Sequence, residues 1–103
     1  MRPLAHPDRE QLNLTCVLYA LGDPVRLEIV RALADRGDLC CNAFDASIAK
    51  STMSHHFRIL REAGLIYSRK DGTQHINRLR RDDLELVFPG LLDVILKAAN
   101  IVE

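Results

Sequence analysis

At Gly64 the hydrophobic pattern of this chain changes period, and few folds accommodate what lies on either side. Upstream, Met53, Phe57 and Leu60 recur four and then three residues apart, the spacing of one helical stripe, and Gly64 supplies a C-terminal stop. Downstream, Leu65-Ile66-Tyr67-Ser68-Arg69 and Thr73-Gln74-His75-Ile76-Asn77-Arg78-Leu79 read as strands joined through Lys70-Asp71-Gly72. Asp-Gly between two such runs is among the strongest short-range hairpin signals. A helix over residues 51–64 thus passes directly into a hairpin over residues 65–79. The helix's other face opens with Ser51, Ser54 and His55 and carries Arg58 and Arg61. One buried side and a second side that starts with short hydrogen-bonding groups suit a DNA major groove. An ordinary amphipathic surface helix has the same pattern, so its surroundings decide.

Residues 1–8 hold two prolines and little periodicity, which predicts a loose arm. Asp8 can cap a helix over Arg9–Leu21 with Leu12, Cys16 and Tyr19 on one side and Leu14, Leu18 and Leu21 nearly opposite. Apolar residues on two sides suggest burial against the chain's own core and against a second subunit. Gly22-Asp23-Pro24 is a restart: glycine ends one helix, Asp23 caps the next and Pro24 sits in its first turn. The second helix runs to Asp35 on a stripe of Leu27, Val30, Leu33 and Ala34, widened by Val25 and Ile29. Arg26 lies inside that arc, so its stem is expected to be covered and its charge to reach out. Arg36-Gly37-Asp38 is a turn, and Leu39-Cys40-Cys41 a brief extended link. Asn42 opens a short helical segment, Ala43–Ile48, and Ala49-Lys50 connects it to the next helix, with Ser51 as N-cap. Two helices joined so tightly suggest a helix-turn-helix, and the basic hairpin that follows makes it a winged helix. Asp82-Asp83 caps a last helical region, interrupted at Pro89-Gly90 into a piece ending near Val87 and another over Leu91–Ala98. The apolar tail of Leu91, Leu92, Val94, Ile95 and Ile101, together with the first helix, is the candidate dimer interface. Covering one protomer's core is the alternative for both.

The 103 residues form one domain, mostly α with a small β-hairpin, and 48% apolar content argues against disorder. No apolar run approaches the ~20 residues of a membrane span, and no signal-peptide core opens the chain. A cytoplasmic protein with no membrane partner is expected, its three cysteines reduced. The net charge of zero is unevenly distributed. Residues 48–81 carry eight basic side chains against two acids, a net +6, while the flanks are −2 and −4. A basic block between acidic ends is the footprint of a phosphate-facing surface within a neutral protein. There is no glycine-rich phosphate loop, no carboxylate pair in a pocket-like context and no motif placing Cys beside His, so an enzyme is not expected. Winged helices can also serve as protein-interaction modules without inducer sensing; the charge placement favours DNA over that alternative.

The order of elements resembles the ArsR/SmtB family of small bacterial winged-helix repressors. Two motifs carry the resemblance: Leu21-Gly22-Asp23-Pro24-Val25-Arg26-Leu27-Glu28-Ile29-Val30, and Lys50 to Ile66, which is similar to that family's recognition-helix signature over its full length. The resemblance implies a homodimer, joined through first and last helices, that binds operator DNA and releases it when an inducer binds. It assigns DNA contact to Ser51, Thr52, Ser54, His55 and Arg58, with the wing residues Arg69, Lys70 and Gln74 on the flanking backbone. The chemistry agrees, since Ser and Thr can bond phosphates or bases and Arg can pair bidentately with guanine. His56, beside the Met53/Leu60 stripe, reads as a packed histidine, and Gly72 as a turn residue.

For the inducer, one metal-site pattern of that family puts Asp and His on the last helix, which here has no His beyond Leu84. Another uses Cys-x-Cys near the third helix; here the pair is adjacent, Cys40-Cys41, with Cys16 in the first helix. Two readings stay open. Cys16, Cys40 and Cys41 form a metal or redox site for a thiophilic metal, metalloid or oxidant inducer. Otherwise they are small buried hydrophobes. Adjacent side chains on an extended link point to opposite sides, so Cys40 and Cys41 converge only if the chain bends.

Overall fold

A computed structural model describes residues 6–101. Over these the chain forms α1 (Leu14–Leu21), α2 (Pro24–Arg36), β1 (Leu39–Cys40), α3 (Lys50–Glu62), β2 (Ile66–Asp71), β3 (Gln74–Leu79), α4 (Arg81–Val87) and α5 (Leu91–Ile101). Single 3-10 turns lie at Arg9–Gln11 and Cys41–Ala43. The strands form an antiparallel sheet in the order β1-β3-β2. This is the expected winged helix. Its core joins Val17 and Ala20 of α1, Ile29, Val30 and Leu33 of α2, Phe57 and Leu60 of α3, Leu65 and Ile66 at the wing's base, and Leu84 and Leu92 from the last two helices.

The sequence signals that held have visible causes. Asp23 caps α2 by accepting from the Val25 and Arg26 amides at 2.9 and 3.1 Å, with Pro24 in the first turn. Gly64 ends the α3 segment at φ 85°, and a Cβ there would run into the Leu12 side chain. The wing turn sits one residue later than Asp-Gly implied. Asp71 pairs with Gln74, so Gly72 and Thr73 are the two central residues, and Gly72 alone takes positive φ, as a type II′ turn requires. Pro89-Gly90 separates α4 from α5 as expected.

Several expectations are corrected. The first helix does not run unbroken from Arg9. Asn13 breaks it by accepting from the Thr15 and Cys16 amides, which starts α1 afresh at Leu14. No α-helix forms over Ala43–Ile48. Asp45 accepts from the Ser47 amide and hydroxyl, and Ile48 N–H bonds the Asp45 carbonyl, so local side-chain bonds outcompete a helical ladder. Phe44 still packs edge-on to Phe57, at 5.5 Å between centroids. Ala49, not Ser51, is the N-cap of α3, and Arg80, not Asp82, that of α4. The Arg26 charge turns inward rather than to water, because carbonyls and a histidine meet it there. Of the loose arm expected over residues 1–8, residues 1–5 lie outside the described residues. His6 and Pro7 are held instead: His6 Nε2 accepts from the Ser68 amide on the sheet edge at 3.0 Å, and the Pro7 carbonyl accepts from Arg80 at 2.8 Å.

Candidate nucleic-acid interface

Along α3, Met53, His56, Phe57 and Leu60 turn inward, and Ser51, Ser54, His55 and Arg58 fall on the opposite side at helical spacing, all exposed. Thr52 is exposed at the flank of that stripe. Five of the sequence-predicted contact residues therefore share one outward surface, and the first of them lie in the opening turn. No side chain caps that turn, since Ala49 has nothing to offer, so its leading amides carry the partial positive charge of a helix start. Arg58 lies at 3.2 Å from Glu62, one turn on, in an exposed pair.

The wing sorts its residues by register. Tyr67 faces Arg78, Arg69 faces Ile76 and Asp71 faces Gln74, so Arg69, Gln74 and Arg78 share one face of the hairpin. Lys70 pairs with His75 and belongs to the other face, along with Ser68 and Asn77. Arg69 and Gln74 are thus brought together, and Lys70 is separated from them by the pleat. Arg78 joins the first face without having been singled out from the sequence. Asp38, at the entry to β1, holds both arginines: it accepts from Arg78 Nε and Nη2 at 3.2 Å each and from Arg69 Nη1 at 3.4 Å. The Arg78 hydrogen bond is the main reason the Asp38 carboxyl is held below its ordinary range, with Arg69 adding to it against a smaller cost of burial.

The basic block of residues 48–81 is less free than its sum implied. Arg80 is buried, donates to the Pro7 carbonyl and Asp83, and lies over the Tyr67 ring at 4.4 Å. Asp83 also accepts from Arg9 at 2.9 Å, and that bond leads the lowering of its pKa, partly offset by burial and reinforced by Arg80. Arg81 reaches Asp93 at 3.6 Å. Arg61 is half-covered, and burial lowers its pKa. Nothing in the sequence marked Arg80 as internal; besides Asp83, three residues on, its partners are Pro7 and Tyr67, distant positions that only the fold brings together.

The cysteines do not converge. Cys16 is exposed on α1, Cys40 Sγ lies 3.4 Å from Gln74 Oε1, and Cys41 Sγ accepts from Asn77 Nδ2 at 3.3 Å on the inner side of the sheet. Cys40 and Cys41 thus take opposite sides, as alternation required. Among the described residues no three His, Cys, Asp or Glu side chains are grouped to hold a metal ion. Asn77, fully buried, was not singled out either. It accepts from Ser68 Oγ at 2.6 Å and donates to the Leu39 carbonyl as well as to Cys41, linking all three strands.

Away from α3 and the hairpin, Leu14, Leu18 and Tyr19 of α1 are 46%, 45% and 67% exposed, and Val94 of α5 is 65% exposed. No helix among the described residues is long and apolar enough to cross a membrane.

Comparison with known proteins agrees with this fold. A family described as "Bacterial regulatory protein, arsR family" matches residues 23–68, from the cap of α2 into β2. An HTH-type transcriptional regulator of Bacillus subtilis, YceK, itself uncharacterized, is 39% identical over 82 residues, covering 77% of this chain and 82% of that protein. The arsenical resistance operon repressor of Staphylococcus xylosus is 34% identical over 85 residues, covering 81% of this chain and 80% of its own length. Among solved structures, the transcriptional repressor BigR from Xylella fastidiosa superposes with a TM-score of 0.59 at 26% identity, covering 73% of this chain and 85% of that one.

Proposed function

Because this chain belongs to the arsR family of bacterial regulatory proteins, we propose that it is a homodimeric repressor whose paired α3 helices read an operator and let go when an inducer binds. The observation that carries this reading is the outward face of α3, where Ser51, Ser54, His55 and Arg58 are exposed opposite a fully packed stripe. Arg58 is the base reader, through a bidentate contact with guanine. Ser51, Thr52, Ser54 and the leading amides take phosphates, and His55 faces the groove. Arg69 and Gln74 hold the flanking backbone from one face of the wing, and Lys70 from the other. The dimer forms through α1 and α5, which accounts for Leu14, Leu18 and Val94 standing exposed on a single protomer.

Release proceeds through the thiols beside the wing, Cys40 at the end of β1 and Cys41 just after it. Cys40 touches Gln74 and Cys41 touches Asn77, so a thiophilic metalloid, soft metal or oxidant on either sulfur displaces a residue of β3. Cys16 contributes only if the second protomer brings it closer. A thiophilic inducer fits the arsenical repressor among the relatives.

A gel shift on the chain's own promoter, repeated across salt concentrations, tests the DNA reading. Selective binding whose affinity falls steeply with salt is expected. Affinity unchanged by salt would refute phosphate contact.

A further inference from the structure

Arg26 is a buried cation in a place where the sequence predicted a snorkelling one. Its guanidinium makes three bonds within one small volume: Nε donates to the Ala20 carbonyl at 2.7 Å, Nη2 to the Tyr19 carbonyl at 3.3 Å, and Nη1 meets His56 Nδ1 at 3.2 Å. The first two acceptors are carbonyls of the last turn of α1, and that of Tyr19 also accepts from the Gly22 amide at 3.1 Å. The third is an imidazole in the middle of α3, on the side opposite the DNA-facing stripe. Arg26 itself sits in the first turns of α2, whose cap, Asp23, lies 3.9 Å from the same His56 nitrogen. One side chain therefore ties together the end of α1, the start of α2 and the centre of α3.

An arginine has only donors, so the contact with Nδ1 is a bond only if that nitrogen is the acceptor and the imidazole proton sits on Nε2. His56 and Arg26 retain 9% and 7% of their exposure, which makes the bond hard to replace with water. Apolar packing tolerates many side-chain arrangements and loses uniqueness before it loses stability, so it fixes a helix's rotation less strictly than a directional bond does. A hydrogen bond to a fixed guanidinium is such a bond, and the His56 ring lies next in chain to His55 on the outward face, with centroids 6.1 Å apart. Given the reading of α3 as the operator-reading helix, we infer that Arg26 and His56 are positioning residues: they set the rotation of α3 against the C-terminal end of α1 and thereby link the proposed dimer helix to base recognition. A change in how α1 is held reaches the reading face through Arg26, without passing through the wing.

The test uses the full chain in three forms, wild type, His56→Leu and His56→Asn, each first shown to unfold cooperatively. Leu removes the acceptor and keeps apolar volume; Asn returns an acceptor oxygen near the place of Nδ1. Affinity is read for the promoter duplex and for a random duplex of equal length. His56→Leu should lose about tenfold on the promoter duplex, the scale of one hydrogen bond from a charged donor, while binding random DNA within about twofold of wild type. His56→Asn should recover most of that loss. Nitrogen-15 spectra of the wild type should show His56 protonated at Nε2 and bare at Nδ1. Equal promoter affinity for His56→Leu and wild type, equal losses on both duplexes, no recovery with Asn, or a proton on Nδ1 would each overturn the assignment. Wild type without any preference for the promoter duplex would instead refute the operator reading itself, and this inference with it.

Discussion

Replacing Asp38 by Asn isolates the wing's contribution to DNA binding. The Asp38 carboxylate accepts three hydrogen bonds from two guanidiniums, those of Arg69 and Arg78, on the wing face that also carries Gln74. While it does so it competes with phosphate for both cations. Asn keeps the size and one acceptor but removes the charge, so the wing gains one positive charge and two arginines become available. The three side chains are 34%, 57% and 62% exposed, in the range where ion pairs contribute little to stability, so the melting temperature should barely move. DNA binding should move. Each additional phosphate engaged steepens the log–log salt dependence by about 0.9, so the slope for random duplex should become more negative by about 1 to 2 per protomer. Because phosphate contacts carry no sequence information, random DNA should gain as much as promoter DNA, and the preference between them should not rise. Fluorescence anisotropy with labelled duplexes over a salt series reads both quantities. An unchanged slope, with the fold intact, would show that the two arginines do not face phosphate and that the wing assignment is wrong.

Three further perturbations address the rest of the molecule. Leu18→Glu places a charge on the exposed face of α1 and should yield monomers in sedimentation, with promoter affinity lost as the paired helices separate. Asp83→Ala strips the buried Arg80 of its ion pair and should cost about 3 kcal/mol in denaturant unfolding. The Asp83 carboxyl lies below its ordinary range in the folded state, so its contribution is complete above that range and fades as pH falls toward the folded value. Acid unfolding of the variant should accordingly be the shallower over that window. The double substitution Cys40→Ser with Cys41→Ser should abolish release of DNA by arsenite or peroxide while leaving promoter binding within about twofold, as neither thiol carries a phosphate contact. Release that persists in the double variant would eliminate the thiol route.

The parts of this molecule that could be read in advance are those governed by local chemistry. Asp23-Pro24, Gly64, Gly72 and Pro89-Gly90 act through their own backbone preferences, so the order of helices, the hairpin and the break in the tail followed from them. The inward stripe of α3 followed from a period of four and three, and with it the outward set that begins at Ser51. Where two local signals competed, the reading failed. Phe44 and Ile48 have helical spacing, yet Asp45 and Ser47 offer a turn its own hydrogen bonds, and the turn won. Asn13 divided a helix whose apolar pattern ran straight through it.

Partners distant in sequence were illegible. Counting charges over residues 48–81 treated Arg80 and Arg78 alike, although one is packed against Tyr67 and Asp83 and the other is tied to Asp38 on the surface. Arg26 was correctly placed within the apolar arc of α2. That it points inward depended on His56, thirty positions away, and on the Ala20 and Tyr19 carbonyls at the end of α1. Arg26, a polar residue in an apolar arc, was the best available signal for such a buried network; Asn77, between His75 and Leu79 on its face of β3, carried none. Alternation also foretold that Cys40 and Cys41 would part, and the sheet shows where each goes: one to Gln74, the other to Asn77.

The central claim is that the outward face of α3 reads bases and the wing holds the backbone. Comparing Arg58→Ala with Lys70→Ala on promoter and random duplexes tests it most directly. Arg58→Ala should lose about 1–3 kcal/mol on the promoter duplex and much less on random DNA, relaxing base preference, while Lys70→Ala should weaken both alike and flatten the salt slope by about 1. Equal losses on the two duplexes for Arg58→Ala would remove Arg58 from base reading and contradict the assignment of α3 as the recognition helix.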